Sequence, residues 1–366
     1  MREALLDRLG LKCPRCRRAD SGEVASHALR HAETFAEEQG SVLEGLLECA
    51  NPRCRARYPI LRGVPVVVAD LAGWWRENVA RFAGPPAFTP GLRTLVADLE
   101  RGRTRLADRE EPVGVHMRAH YPDQDLTSRV PEGVPAPGRF WARLGELAEP
   151  EGSARFGAAL DAGCSVGRFT FELARISDIA VGMDLSFPSV ERAAAIAHGA
   201  TTLKGRFQLG PRHDDRAGGQ AIPSNVIFLV ADALDPPFAA ARFDFVAAID
   251  LLDSVRLPLV LLGQLDALLA VGGRLLLTSP YTWRSDITAP EEWLESASVP
   301  PGEFVRGILA GRMLPELGLR YSIESEDTGL PRVLPEQERK WTIFVTDAIR
   351  ARKRPSEAGA HPYAAA

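Results

Sequence analysis

Four of the five cysteines fall in two short pairs, Cys13-Pro-Arg-Cys16 and Cys49-Ala-Asn-Pro-Arg-Cys54. Each pair places two thiolates within reach of one ion, and two pairs complete a tetrahedral Zn²⁺ site with no position left for water. The reading is a structural zinc held by Cys13, Cys16, Cys49 and Cys54. A module this small buries too little surface to fold unaided, and the metal supplies what is missing. His27 and His31, four residues apart on an expected acidic helix between the pairs, read as solvated rather than as ligands.

The second chemistry lies in Ala159-Leu-Asp-Ala-Gly-Cys-Ser-Val-Gly167. Gly163 and Gly167 let the backbone bend and approach a ligand, and Ser165 fills the small position between them. A helix starting near Arg168 would point its unpaired N–H groups at the loop. The small residues alternate, unlike the G-x-G-x-x-G of a dinucleotide loop. Asp161 precedes the turn, and Asp184 closes the next strand roughly 20 residues on, where a carboxylate can accept ribose hydroxyls. Asp232 follows the third strand, placed for an exocyclic amine, and Asp250 follows the fourth, beside a reacting centre. Asp253 reads equally as a helix cap or a ligand contact. Cys164 reads as a small filler, not a nucleophile.

To position these acids the chain needs a parallel sheet, and short apolar runs alternating with helical segments predict one from about residue 154. The expected strands are Phe156–Leu160, Ile179–Met183, Val226–Ala231, Phe243–Ile249 and Arg274–Thr278. Helices are expected from Phe169, over Val190–Ala197, and over Pro258–Ala270 with Gly272-Gly273 as its stop. Residues 200–224 read as an exposed insertion, and Tyr321–Glu324 pairs with Trp341–Thr346 as a final hairpin. The domains read as a zinc ribbon (1–70), a helical connector and cap (71–150), the sheet domain (151–350) and a disordered tail (351–366).

Four strands, each closed by an acid, form one rim, and ligands of open α/β sheets bind at that rim. Over 154–348 the pattern resembles the class I S-adenosylmethionine (SAM)-dependent methyltransferases. The resemblance implies a doubly wound, mostly parallel, seven-stranded Rossmann-like sheet behind a small zinc-ribbon domain. It implies SAM as cofactor, bound by Asp161, Gly163, Cys164, Ser165, Gly167 and Asp184, with Leu185, Asp232, Ala233 and Asp250 beside them. The segment Tyr58-Pro-Ile-Leu-Arg-Gly-Val-Pro-Val-Val-Val68 is similar to the zinc ribbon of the small activator subunit of tRNA and protein methyltransferases.

The acceptor side carries its own resemblance. Thr278-Ser-Pro-Tyr-Thr-Trp283, Glu291-Glu-Trp-Leu294 and His120-Tyr121 resemble the ovothiol-type mercaptohistidine methyltransferases, which methylate an imidazole nitrogen. That implies a small-molecule acceptor in a box of Tyr121, Tyr281, Trp283 and His120, with Asp250 anchoring a cationic group. His116 and His120 are spaced as a helical pair. An RNA acceptor gripped by Lys12, Arg15, Arg17, Arg18, Arg53, Arg55 and Arg57 on the ribbon is the alternative, and a non-catalytic SAM-binding module is a third reading.

Bulk properties fit the first reading. Across 366 residues, 25% are charged with a formal net charge of −4, which argues against coating nucleic acid by bulk electrostatics. No run of about 18 apolar residues occurs, so no membrane partner is expected. The N-terminal acids lack a signal core, which places the protein in the cytoplasm. No oligomeric state is legible.

Overall fold

The strands that carry the rim are buried along almost their whole length. Ala159–Ala162 (β5) is buried at every position, as are the first four residues of Ala180–Asp184 (β6) and the last four of Val226–Val230 (β7). Such runs cannot have a wet face, so helices must cover both sides, as parallel strands require. The computed structural model shows this arrangement. It describes residues 6, 8–17, 27–38, 40–78, 88–92, 95, 113–121, 132–152, 154–198, 223–337 and 340–355. Most of the expected insertion at 200–224 lies outside the described residues.

The large sheet has seven strands in the order β10-β11-β9-β8-β5-β6-β7, completed by Phe243–Ile249 (β8), Leu269–Ser279 (β9), Tyr321–Gln337 (β10) and Lys340–Lys353 (β11). Strands β7, β6, β5, β8 and β9 run parallel, while β11 lies antiparallel to β9 and β10 antiparallel to β11. The chain runs outward from β5 through β6 to β7 and then returns to β8 on the other side of β5. That reversal opens a crevice at the carboxyl ends of β5 and β8, where this fold class binds ligands.

The α/β expectation holds, with local corrections. Ser186 caps Phe187–Ala197 (α6), its Oγ accepting from the Ser189 N–H, and Pro258–Leu268 (α7) ends without a glycine stop. Strand β9 instead starts at Leu269, and Gly272-Gly273 lie within it. The β8–β9 register shifts there. A Cβ on Gly273 would sit 2.9 Å from the Asp244 carbonyl, so the pair forms a bulge where the two backbones approach closely. The final hairpin exists, but Tyr321 pairs with Lys353 and Trp341 with Pro335. The expected tail begins too early, because β11 continues through Lys353 and is held by β9.

The N-terminal unit differs more. The expected helix between the cysteine pairs is an antiparallel hairpin, Leu29–Glu38 (β1) and Ser41–Cys49 (β2), in a four-stranded sheet with Arg57–Leu61 (β3) and Val64–Pro65 (β4). Gly40, at φ +72°, makes the turn. Val42, Leu46 and Leu47 are buried on β2 while Glu33, Glu37 and Glu38 are exposed on β1. His31 thus lies on a strand, its Nε2 3.1 Å from the Thr34 hydroxyl.

This unit is built onto the sheet. Val66 bridges Val230 in parallel, and the Val67 N–H donates to the Val230 carbonyl at 2.8 Å. The Lys12 N–H donates to Pro237 O at 2.8 Å, and Arg17 pairs with Asp235 at 3.1 Å. Leu46, Leu61 and Val66 join Trp74, Trp75, Phe187 and Phe228 in one apolar cluster. Trp74 and Trp75 lie on Leu71–Asn78 (α2), the first element of the connector. The core therefore runs through residue 70 without a break.

Candidate functional site

The loop after β5 is set by backbone that only certain residues tolerate. Gly163 and Gly167 adopt φ +75° and +82°. A Cβ on Gly167 would meet Ala193 Cβ and Phe228 at 2.8 Å, so α6 and β7 press directly on the turn. Ser165 adopts φ +49°, held there by its N–H, which donates to Asp184 Oδ2 at 2.9 Å. The other oxygen of Asp184 accepts the Ser186 N–H at 2.9 Å. One carboxylate thus fixes the glycine loop after β5 and the turn after β6.

Behind the loop, Asp161 is 1% exposed and accepts the Thr170 hydroxyl at 2.7 Å, from Arg168–Ile176 (α5). Burial, reinforced by Asp184, pushes its carboxyl up to about 7. Cys164 is buried and its thiol is pushed well above the usual range by desolvation, which fits a filler residue.

Beyond β8, Asp250 adopts φ +49°. Thr278 Oγ1 donates to its Oδ1 at 2.5 Å, and Arg332, on β10, forms an ion pair with its Oδ2. Asp253 accepts the Thr282 N–H and hydroxyl at 2.8 and 2.9 Å, and burial raises its pKa. It is a loop anchor rather than an N-cap.

One cavity of about 390 Å³ joins these parts, large enough for a small organic ligand. From the expected cofactor set, Asp161, Gly163, Cys164, Ser165, Asp184 and Asp250 line it. Gly167 shapes the turn without lining it. Asp232 accepts the Leu234 N–H at 2.9 Å outside the cavity wall, and Ala233 packs on the core beside it. Leu185 is 49% exposed just past Asp184, its carbonyl accepting from Trp74 Nε1.

The expected acceptor box is only partly assembled. His120 lines the cavity, but Tyr121, Tyr281 and Trp283 do not. Tyr121, at the end of the cap helix Val113–His120 (α3), donates its hydroxyl to the Val166 carbonyl at 2.8 Å and so braces the glycine loop. Tyr281 faces Gly302 and Asp347, and burial pushes its hydroxyl up. Trp283 packs on the main core. Asp250 is already paired, so it offers no free anchor for a cation. The aromatic walls are Trp141, on Gly138–Ala148 (α4), and Phe344, directly across the β10–β11 ladder from Arg332. Sequence reasoning missed Arg332, Trp141 and Phe344. The only signal was the apolar face of α4, because the rest is tertiary.

At the other end of the chain, the Sγ atoms of Cys13, Cys16, Cys49 and Cys54 all lie within 4.8 Å of one another. Cys13 and Cys54 are 3.9 Å apart and Cys16 and Cys49 3.3 Å, close to the roughly 3.8 Å between sulfurs on a tetrahedral zinc. The Asn51 N–H approaches Cys49 Sγ at 3.4 Å and the Tyr58 hydroxyl approaches Cys13 Sγ at 3.1 Å, contacts that suit thiolates. The cluster fits a closed, structural metal site.

The buried acids and tight turns of the cavity suit a cation bearing a ribose. The fit yields a pH prediction. Below about 7 Asp161 holds its proton; above it, the added negative charge favours a cationic ligand. SAM affinity measured by calorimetry should therefore rise between about pH 6 and pH 8 and be flat in Asp161→Asn. In the ligand-free protein the sign is opposite. The folded chain keeps this proton longer than the unfolded one, so the group's contribution to stability falls as pH rises toward about 7.

Residues 134–306 match a family described as a methyltransferase domain. No curated protein matches the chain. Among solved structures, the YcgJ protein of Bacillus subtilis aligns at 14% identity over 60% of this chain and 100% of its own, with a TM-score of 0.38. The N-methyltransferase NodS of Bradyrhizobium japonicum WM9 aligns at 15% identity over 60% and 96%, TM-score 0.37. A SAM-dependent methyltransferase of Methanosarcina mazei aligns at 18% over 54% and 92%, TM-score 0.35. The family match falls on the domain that bears the glycine loop, Asp161 and Asp184, and the protein is an enzyme with a methyltransferase domain that uses S-adenosylmethionine.

Proposed function

We propose that the enzyme methylates a small molecule at a heteroaromatic nitrogen, with a histidine-derived thiol as the first acceptor to try. The observation that carries this is the shape of the cavity. It is a single pocket roofed by α3, α4 and the β10–β11 hairpin, and its flat walls, Trp141 and Phe344, suit an aromatic ring. SAM supplies a methyl group on a positively charged sulfur. Transfer forms the bond from methyl carbon to acceptor nitrogen and breaks the bond from carbon to sulfur, leaving a neutral thioether. A nitrogen lone pair needs little acid–base help, so the protein contributes alignment and exclusion of water.

The ribbon supports this reading over RNA, because its cations are partly spent. Arg17 pairs with Asp235 and Arg57 with Glu33. A nucleic-acid partner would need those charges on phosphates. We further propose that the metal in the ribbon is zinc and purely structural. No helix among the described residues is long and apolar enough to cross a membrane.

The test is release of S-adenosylhomocysteine with a panel of imidazoles, thiols, catechols and carboxylic acids. Turnover on one or more imidazoles is expected. Turnover on phenols or carboxylates with every imidazole inert would overturn the acceptor class and leave the reaction class standing.

A further inference from the structure

The cavity wall made by α3 and β10 holds buried nitrogen atoms that nothing among the described residues satisfies. Arg332 spends one terminal nitrogen on Asp250, and its guanidinium lies 5.6 and 5.9 Å from the Phe140 and Trp141 rings. Its Nε is buried without a partner among the described residues. Both ring nitrogens of His120, a residue 4% exposed, are equally unpartnered, as is Nδ1 of His116. The two imidazoles lie edge to face with centroids 6.1 Å apart, and His120 packs on Trp141 at 4.5 Å. All three residues line the same cavity.

An unpaired buried polar group is left with an uncompensated desolvation cost, larger when it is charged, so such a cluster marks a place where a ligand completes the bonds. The kind of ligand follows from the atoms. Arg332 Nε can only donate, and a neutral imidazole donates from one nitrogen whichever tautomer it adopts. Burial and the nearby Arg332 hold both histidines below their usual pKa, His116 at about 4, with Arg168 adding to the effect at His120. The imidazoles are therefore neutral donors in a positive field. Asp250 answers one side of Arg332, and Glu172 answers Arg168 at 3.0 Å, but no carboxylate of the described residues reaches the orphan nitrogens. The missing group is an acceptor with negative charge and more than one lone-pair direction.

We propose that Arg332, His116 and His120 form a carboxylate-binding pocket. The proposal rests on the small-molecule reading above, since a carboxylate reaches this wall only as part of a small ligand. Two such groups share the chemistry: the methionyl carboxylate of the cofactor and the carboxylate of an amino-acid-like acceptor.

The experiment separates them by calorimetry on wild type, Arg332→Lys and His120→Phe, with thermal melts to show that each is folded. Lysine keeps a cation for Asp250 but loses Nε, so this variant isolates the orphan donor. The cofactor arm compares S-adenosylhomocysteine with methylthioadenosine, which lacks the amino-acid carboxylate. The acceptor arm titrates protein saturated with S-adenosylhomocysteine with L-histidine against histamine, and with benzoate against benzamide. A tenfold or greater loss for S-adenosylhomocysteine alone supports the pocket and gives it to the cofactor. Unchanged S-adenosylhomocysteine with a tenfold or greater loss for histidine or benzoate, their neutral counterparts unaffected, supports it and gives it to the acceptor. Wild-type affinity of both variants for every carboxylate, or no preference of wild type for carboxylates over their counterparts, overturns it. Because benzoate carries no imidazole, carboxylate preference with every imidazole inert in turnover would sink the acceptor class while the pocket stood.

Discussion

Exchanging Cys13 and Cys16 for serine lowers the melting temperature of the whole chain by roughly 10 °C or more, not that of the ribbon alone. Metal binding free energy is folding free energy in a unit this small. The unit's strands also supply the inner face of a shared cluster, where Leu46, Leu61 and Val66 meet Phe187 and Phe228. Each such side chain is worth about 1.5–3 kcal/mol when buried, so losing the ribbon removes support from α6 and β7 as well. Elemental analysis should find one zinc per wild-type chain and none in the variant. The wild type should melt in a single transition, and chelation should shift it in the same direction. A zinc-free wild type under reducing conditions would remove the metal, and a methyltransferase transition that ignores the substitutions would remove the coupling.

Asp184→Ala costs about 3 kcal/mol or more in affinity for S-adenosylhomocysteine, on the order of a hundredfold. The carboxylate does two things at once. It offers acceptors to the ligand, and it holds Ser165 in a left-handed conformation and Ser186 at the cap of α6 through their N–H groups. Alanine removes both, so the glycine loop relaxes when the ligand contact is lost. Asp184→Asn keeps one carbonyl oxygen and should fall between the two. Calorimetry that finds equal affinity for wild type and Asp184→Ala would take this residue out of the site.

The parts of the molecule that sequence made legible are those set by neighbouring residues. The glycine loop, the acids at the carboxyl ends of β5, β6 and β8 and the cysteine pairs are local, because each depends on a turn of a few residues and a strand that stops beside it. Arg332 was not legible. Its partner Asp250 lies 82 positions earlier, and only the antiparallel return of β10 against β11 brings the two together. The aromatic run from Thr278 to Trp283 misled for the same reason. Tyr281, at φ +52°, turns its ring away from the cavity toward Gly302, a direction that residue type cannot encode. The acids Glu33, Glu37 and Glu38 suit a helix as well as the exposed face of β1, so residue type does not separate the two. What decides the matter is the row of buried residues on β2, which needs β3 beside it.

The parallel bridge from Val66 to Val230 bears on how this enzyme can be divided. Strand β7 is the last of the large sheet, and without the N-terminal unit its outer backbone would present unpaired N–H and C=O groups and the buried Phe187 and Phe228 would lose part of their cover, the kind of edge that recruits other chains. A fragment beginning near residue 151 would retain every acid of the rim and still come out of the cell as aggregate. The N-terminal unit then acts as a built-in solubility tag, one that recombination cannot detach from the methyltransferase domain without supplying another cover for that edge.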